Sequence, residues 1–131
     1  MIEGKCHCGA VQWRFDRTPE DATVCNCTVC RRYGVIWAYD WEGEAIHTSG
    51  PTHHYRRADS GDIEFHFCPT CGCVSWWRGH EPNKDGRTRI AVNLRLAEPE
   101  VVAHIPVDRF DGLVTFDDTP RDGRCVADFW A

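Results

Sequence analysis

Three cysteines, Cys25, Cys27 and Cys30, crowd into the six-residue run CNCTVC, and they belong to a set of nine. Cys6 and Cys8 form CHC, Cys68, Cys71 and Cys73 form CPTCGC, and Cys125 stands alone. Closely spaced sulfurs suit a thiophilic metal, above all zinc, which takes four ligands in a tetrahedron at structural sites. CPTCG predicts a knuckle, because a tight turn after Cys68, with Gly72 relieving the backbone, lets Cys68 and Cys71 converge on one ion. One knuckle supplies half a site, and Cys6 with Cys8 is the self-contained pair that completes it. Cys25, Cys27 and Cys30 then remain for a second ion with one vertex open, the layout of a catalytic zinc. Cys73, Cys125 and His66 are the alternative candidates for that vertex, and any of them would make both sites structural. A redox pair is the other reading of the two C-x-x-C spacings, but neither lies in a βαβ pattern. Otherwise Cys73 and Cys125 read as small buried hydrophobes.

Strands must position these sulfurs. AVQWRFD alternates Val11, Trp13 and Phe15 against polar residues, the period-2 signature of a half-buried strand. DIEFHF repeats it through Ile63, Phe65 and Phe67, with Glu64 and His66 on the other side, and RIAVNLR does so through Ile90, Val92 and Leu94. VIWAYD, THHYRR and VVAHIPV are further expected strands. Turn residues separate them at SGP, DSGD, NKDG and FDGL. No apolar period of 3.6 persists beyond a turn or two. The pattern predicts one all-β domain over residues 1–131, built of short antiparallel strands with cysteine knuckles at their ends.

The chain has 131 residues, a formal charge of −5 and a pI near 5.7. An acidic balance without Lys/Arg clusters excludes a broad phosphate-tracking face, so no nucleic-acid partner is expected. Apolar runs fall far short of the roughly 20 residues of a membrane-spanning helix. The start, MIEGKCHCGAVQW, lacks the basic end and apolar run of an export signal. A cytoplasmic location is therefore expected, where thiols stay reduced and available to metal.

Taken in order, GKCHCGAVQW, CNCTVCRR and FHFCPTCGCVSWW resemble the glutathione-dependent formaldehyde-activating enzyme family, which includes centromere protein V. The resemblance runs from Gly4 to about Trp77 and continues less distinctly through AVNLRL and RFDG. It implies a β-tent fold with Cys6, Cys8, Cys68 and Cys71 on a structural Zn2+ and Cys25, Cys27 and Cys30 on a catalytic one. It also implies a carbon–sulfur lyase or synthase that condenses glutathione with formaldehyde to S-hydroxymethylglutathione. Its partners would be a small thiol and a small aldehyde. Two positions depart from the pattern: Cys73 stands where a small hydroxyl residue is expected, and Asn26 where His is frequent. The rival readings are a non-catalytic zinc module that binds a protein and a thiol oxidoreductase resembling methionine sulfoxide reductase B.

Arg31 and Arg32 follow Cys30 directly and are read as candidate grips for a carboxylate of the thiol substrate, with a solvated basic pair as the bland alternative. His66, on the polar side of its strand, is read as a surface residue, with a ligand or a proton shuttle as the alternatives, and His53 and His54 need no function. Trp37, Tyr39, Trp76 and Trp77 are core or edge aromatics that also suit a pocket wall. Asn93 and Arg95 fit either a polar pocket wall or an exposed face.

Overall fold

The computed structural model describes residues 1–59 and 61–130. Eleven strands occur in chain order: β1 (Ile2–Lys5), β2 (Gln12–Phe15), β3 (Ala22–Cys25), β4 (Trp37–Trp41), β5 (Ile46–Ser49), β6 (His53–Arg56), β7 (Ile63–Phe67), β8 (Val74–Gly79), β9 (Arg89–Asn93), β10 (Val107–Asp111) and β11 (Asp117–Thr119). Two single-turn helices, α1 (Cys30–Tyr33) and α2 (Pro99–Val102), interrupt them. The strands form a three-stranded sheet, ordered β1-β2-β5, and an eight-stranded sheet, ordered β11-β10-β3-β4-β9-β8-β7-β6. This is the all-β, tent-like class that the sequence implies. All pairings are antiparallel except β3 with β10, which run parallel with Cys25 opposite Phe110.

Period-2 alternation gives the large sheet two apolar faces. Trp76, Ile90, Val92 and Ala38 point toward the small sheet, where Ile2, Val11, Trp13, Phe15 and Ile46 close the main core. Their neighbours Trp77, Ala91 and Trp37 point the other way, into a second cluster that holds Cys27 and Cys30. The central strand β9 is buried on both sides, so its apolar run Ile90-Ala91-Val92 needs no polar alternation.

Ile63 and Phe65 alternate with Glu64 and His66 as expected, up to a bulge between His66 and Phe67. VVAHIPV is a correction. Glu98 precedes Pro99 at the first turn of α2, Val102 and Ile105 enter the core, and the strand begins only at Val107. A proline at a helix start has the right φ and no N–H to leave unpaired, which favours the turn over an extended run. The short strands β1, β3, β5 and β11 carry too few alternating apolar residues to signal themselves. Asn93 is buried: its side-chain carbonyl accepts from the N–H of Ile36 and Arg95, and its amide donates to the Val74 carbonyl. It is a structural cross-link, not a pocket wall.

Candidate metal centres

Four sulfurs meet where the two sheets converge. Cys6 follows β1, Cys68 follows β7, and two turns bring Cys8 and Cys71 round to face them. The turn after Cys68 closes with the Gly72 N–H on the Cys68 carbonyl at 2.8 Å, and Gly72 takes φ +81°, a region that costs a glycine little. All four sulfurs lie within 4.8 Å of one another. Cys6 to Cys8 and Cys8 to Cys68 are each 3.6 Å. A tetrahedron with Zn–S bonds of about 2.3 Å has an edge of about 3.8 Å, whereas a disulfide would need about 2.05 Å. All nine cysteines are free thiols. The Val11 N–H donates to the Cys6 sulfur at 3.3 Å.

The second set sits on the outer face of the large sheet. Cys25 ends β3, Cys27 lies in the connecting loop and Cys30 starts α1, with all three sulfurs within 4.8 Å. Every one of them receives an N–H: Cys27 N on Cys25 (3.4 Å), Cys30 N on Cys27 (3.3 Å) and the Trp37 indole on Cys30 (3.4 Å). Such bonds favour thiolate over thiol. Asn26 fastens the loop by donating to Asp111 at 3.1 Å, and Asp111 in turn accepts from the N–H groups of Leu113, Val114 and Thr115.

Within each set the thiols share hydrogen bonds, so that one is held down in pKa while another is pushed up. Backbone N–H groups of Cys73 and Cys8 hold Cys71 down to about 5, while at Cys8 the thiols of Cys6 and Cys68 outweigh the Ala10 N–H and push it up to about 12. The Cys30 thiol, helped by the N–H groups of Cys27 and Gly112, holds Cys25 down to about 6, and the same contact together with burial pushes Cys30 up. A cation at the centre of either set removes that conflict. Donor type, spacing and charge therefore fit zinc in both.

None of the alternative fourth ligands joins the second set among the described residues. Cys73 lies beside Cys71, and Cys125 approaches Asp128, with Sγ to Oδ2 at 3.6 Å. His66 groups instead with His54 and Glu64.

Residues flanking the three sulfurs line two hollows. One, of about 670 Å³, is walled by Thr23, Tyr39, Trp77, Arg89 and Phe110 and edged by aspartates including Asp108 and Asp118. The other, of about 570 Å³, runs past Thr28, Val29, Arg32, Tyr33, Tyr55 and Arg57. Gly112 closes tightly over the cluster: a Cβ there would lie 2.7 Å from the Cys25 sulfur and 3.0 Å from the Cys27 Cβ. Gly112→Ala is expected to lower metal affinity at this cluster by about tenfold or more, in the range seen when partners of metal ligands are disturbed. Competition with a chromophoric chelator measures it, and unchanged affinity would show that the loop yields freely.

A sequence profile of the glutathione-dependent formaldehyde-activating enzyme family matches residues 1–103, which carry both cysteine sets. The chain belongs to that family. A Halomonas elongata protein named "Putative glutathione-dependent formaldehyde-activating enzyme" is 26% identical over 140 residues, covering 98% of this chain and 88% of its own. The crystal structure of a Rhodobacter sphaeroides protein superposes with a TM-score of 0.60 at 24% identity, over 81% of this chain and 99% of its own, and shares the fold.

Within this formaldehyde-activating family member, the seven sulfurs read from the sequence as ligands assemble into the two expected groups. Arg31 and Arg32 lie in α1 and are exposed; Arg32 lines a hollow and donates to the Thr28 carbonyl at 2.7 Å. Arg57, which the sequence does not mark, lines the same hollow and pairs with Asp59. Phe110, Asp111 and Gly112 lie beyond the matched segment, and their one signal is the RFDG turn. His66 corrects the surface reading, being only 8% exposed, with its ring stacked on Trp76.

Proposed function

We propose that this chain joins a small thiol, of the glutathione type, to a small aldehyde such as formaldehyde, and splits the adduct in reverse. It would act as a single-domain, cytoplasmic carbon–sulfur lyase or synthase with two Zn2+ ions, one structural on Cys6, Cys8, Cys68 and Cys71, one catalytic on Cys25, Cys27 and Cys30. The observation that carries this reading is the set of three converging sulfurs that no fourth protein ligand joins among the described residues. Bound zinc would supply a Lewis-acidic vertex at which a thiol loses its proton or an aldehyde oxygen is polarised.

The reaction is redox-neutral. A sulfur–carbon bond forms, the carbonyl π bond breaks and the thiol proton ends on the new hydroxyl. The residues of the chain supply position and field. Trp37 fixes the Cys30 sulfur, Asn26 and Asp111 fix the loop, and Gly112 leaves room beside Cys25. Trp37, Phe65 and Trp77 surround the sulfurs with apolar surface, which strengthens every electrostatic contact there. Arg31 and Arg32 offer positive charge to a carboxylate of the thiol, on a chain whose overall charge is negative.

Exchange spectroscopy of formaldehyde with its glutathione adduct tests the activity directly. The zinc-loaded chain is expected to accelerate exchange over buffer, and equal rates would remove the proposal. Arg31→Ala combined with Arg32→Ala is expected to raise the half-saturating thiol concentration about tenfold, as for loss of exposed charge-assisted hydrogen bonds, with zinc content unchanged. Unaltered saturation would assign the pair to solvation alone.

A further inference from the structure

At the β6 edge of the large sheet, two residues before Cys68 but sharing no ligand with either sulfur set, three nitrogen and oxygen ligands converge. His54 on β6 pairs directly across from His66 on β7, and Glu64 precedes His66 by two residues, so all three share one face. One donor atom from each lies within 4.8 Å of the other two. His66 Nε2 is 3.0 Å from one Glu64 oxygen, and His54 Nε2 is 4.0 Å from the other. The second distance is too long for a hydrogen bond. The two rings thus face different oxygens of one carboxylate, and with one donor atom from each residue within 4.8 Å of the others the set is compact enough to close on an ion at zinc–ligand bonds of about 2.0–2.1 Å.

The surroundings are those of a ligand set held in place by its outer contacts. Thr52 Oγ1 meets His66 Nδ1 at 2.8 Å, which leaves Nε2 as the coordinating nitrogen. His80 Nδ1 meets the Glu64 oxygen at 2.9 Å, and Arg56 meets His80 Nε2 at 2.9 Å. A guanidinium only donates, so His80 accepts at Nε2, carries its proton on Nδ1 and donates it to Glu64. His80 thus orients the carboxylate. His66 is packed between the ring of Trp76 and that of His54, at 5.7 and 5.1 Å between centroids. His54 is exposed on an edge strand, leaving an approach from solvent.

We propose that His54, Glu64 and His66 form a third metal site, which takes a single Zn2+ through two imidazoles and one carboxylate. The donor set is the His2Glu type that zinc accepts with a vertex to spare, and it differs from the thiolate sets in ligand and in place. It stands whether or not the sulfur sets are catalytic.

Long-range proton–nitrogen spectra of the histidine rings, in protein loaded with zinc at its two sulfur sets only, test it site by site. Added Zn2+ is expected to move the Nε2 signals of His54 and His66 at concentrations that leave exposed His104 unchanged. Metal counting at the same free zinc is expected to give one ion fewer per chain in His54→Ala than in the wild type, with aldehyde exchange retained. His54 is exposed, so this change leaves the core intact. Ring signals that move together with that of His104, or equal zinc content in the two proteins, would overturn the site. Loss of an ion in Cys27→Ser bears on the sulfur set only, so the two assignments fail separately.

Discussion

A Cys68→Ser protein is expected to lose its cooperative fold and to be recovered as aggregate or as a protease-sensitive chain. Cys68 is 1% exposed, and its sulfur joins a cluster whose members come from the end of β1 and from the hairpin of β7 and β8, 60 residues apart between Cys8 and Cys68. A zinc ion in such a closed site contributes roughly 10–16 kcal/mol in small zinc-dependent folds, against a net stability of about 5–15 kcal/mol for a whole domain. Weakening that site removes a contribution as large as the margin itself. It also leaves three crowded sulfurs at the junction of the two sheets. Thermal unfolding by circular dichroism and limited proteolysis check the expectation. A sharp transition at the wild-type temperature would show that packing alone holds the sheets together.

Cys27→Ser should behave in the opposite way. Zinc content falls by one ion per chain and thiol-dependent aldehyde exchange disappears, while the unfolding transition stays cooperative. The reason is location. Cys27 lies in a loop on the outer face of the large sheet, in a small apolar cluster separate from the main core. Removing one of the three proposed ligands leaves two sulfurs, too few to retain zinc against dilution. Full zinc loading in this variant would contradict the ligand assignment, and retained turnover without the ion would contradict the mechanism.

How much of this was legible beforehand follows from the physics of each signal. Sulfur spacing is a local code: a knuckle needs its two cysteines and a turn residue within five positions, so Cys68 with Cys71 can be read directly, while their union with Cys6 and Cys8, 60 residues away, follows only from counting the sulfurs and from the family resemblance. Strands with three alternating apolar residues, such as β2 and β7, were equally plain. VVAHIPV was not, because a proline-started turn and a strand both accept a short run of valines, and only packing of Val102 and Ile105 decides between them. His54 and His66 stayed silent for a different reason. Their meeting depends on the register of β6 against β7, and a shift of one residue would send the two rings to opposite faces. Gly112 was hidden likewise, since its approach to Cys25 follows from the parallel pairing of β10 with β3, which no local pattern announces.

That parallel pairing matters beyond the site itself. Among the described residues β3 is paired in register with β4 only at Thr23 and Trp37, so the ladder joining β11, β10 and β3 to the remaining five strands is a narrow seam, with Ala22 and Val107 packed into the main core beside it. Cys25 stands on one bank of that seam, and Trp37, which holds Cys30, stands on the other. A zinc ion held there, as proposed, would tie the two banks together as well as serve the reaction. Without the proposed ion, the two banks are expected to be joined here by the Thr23–Trp37 pair and by core packing alone.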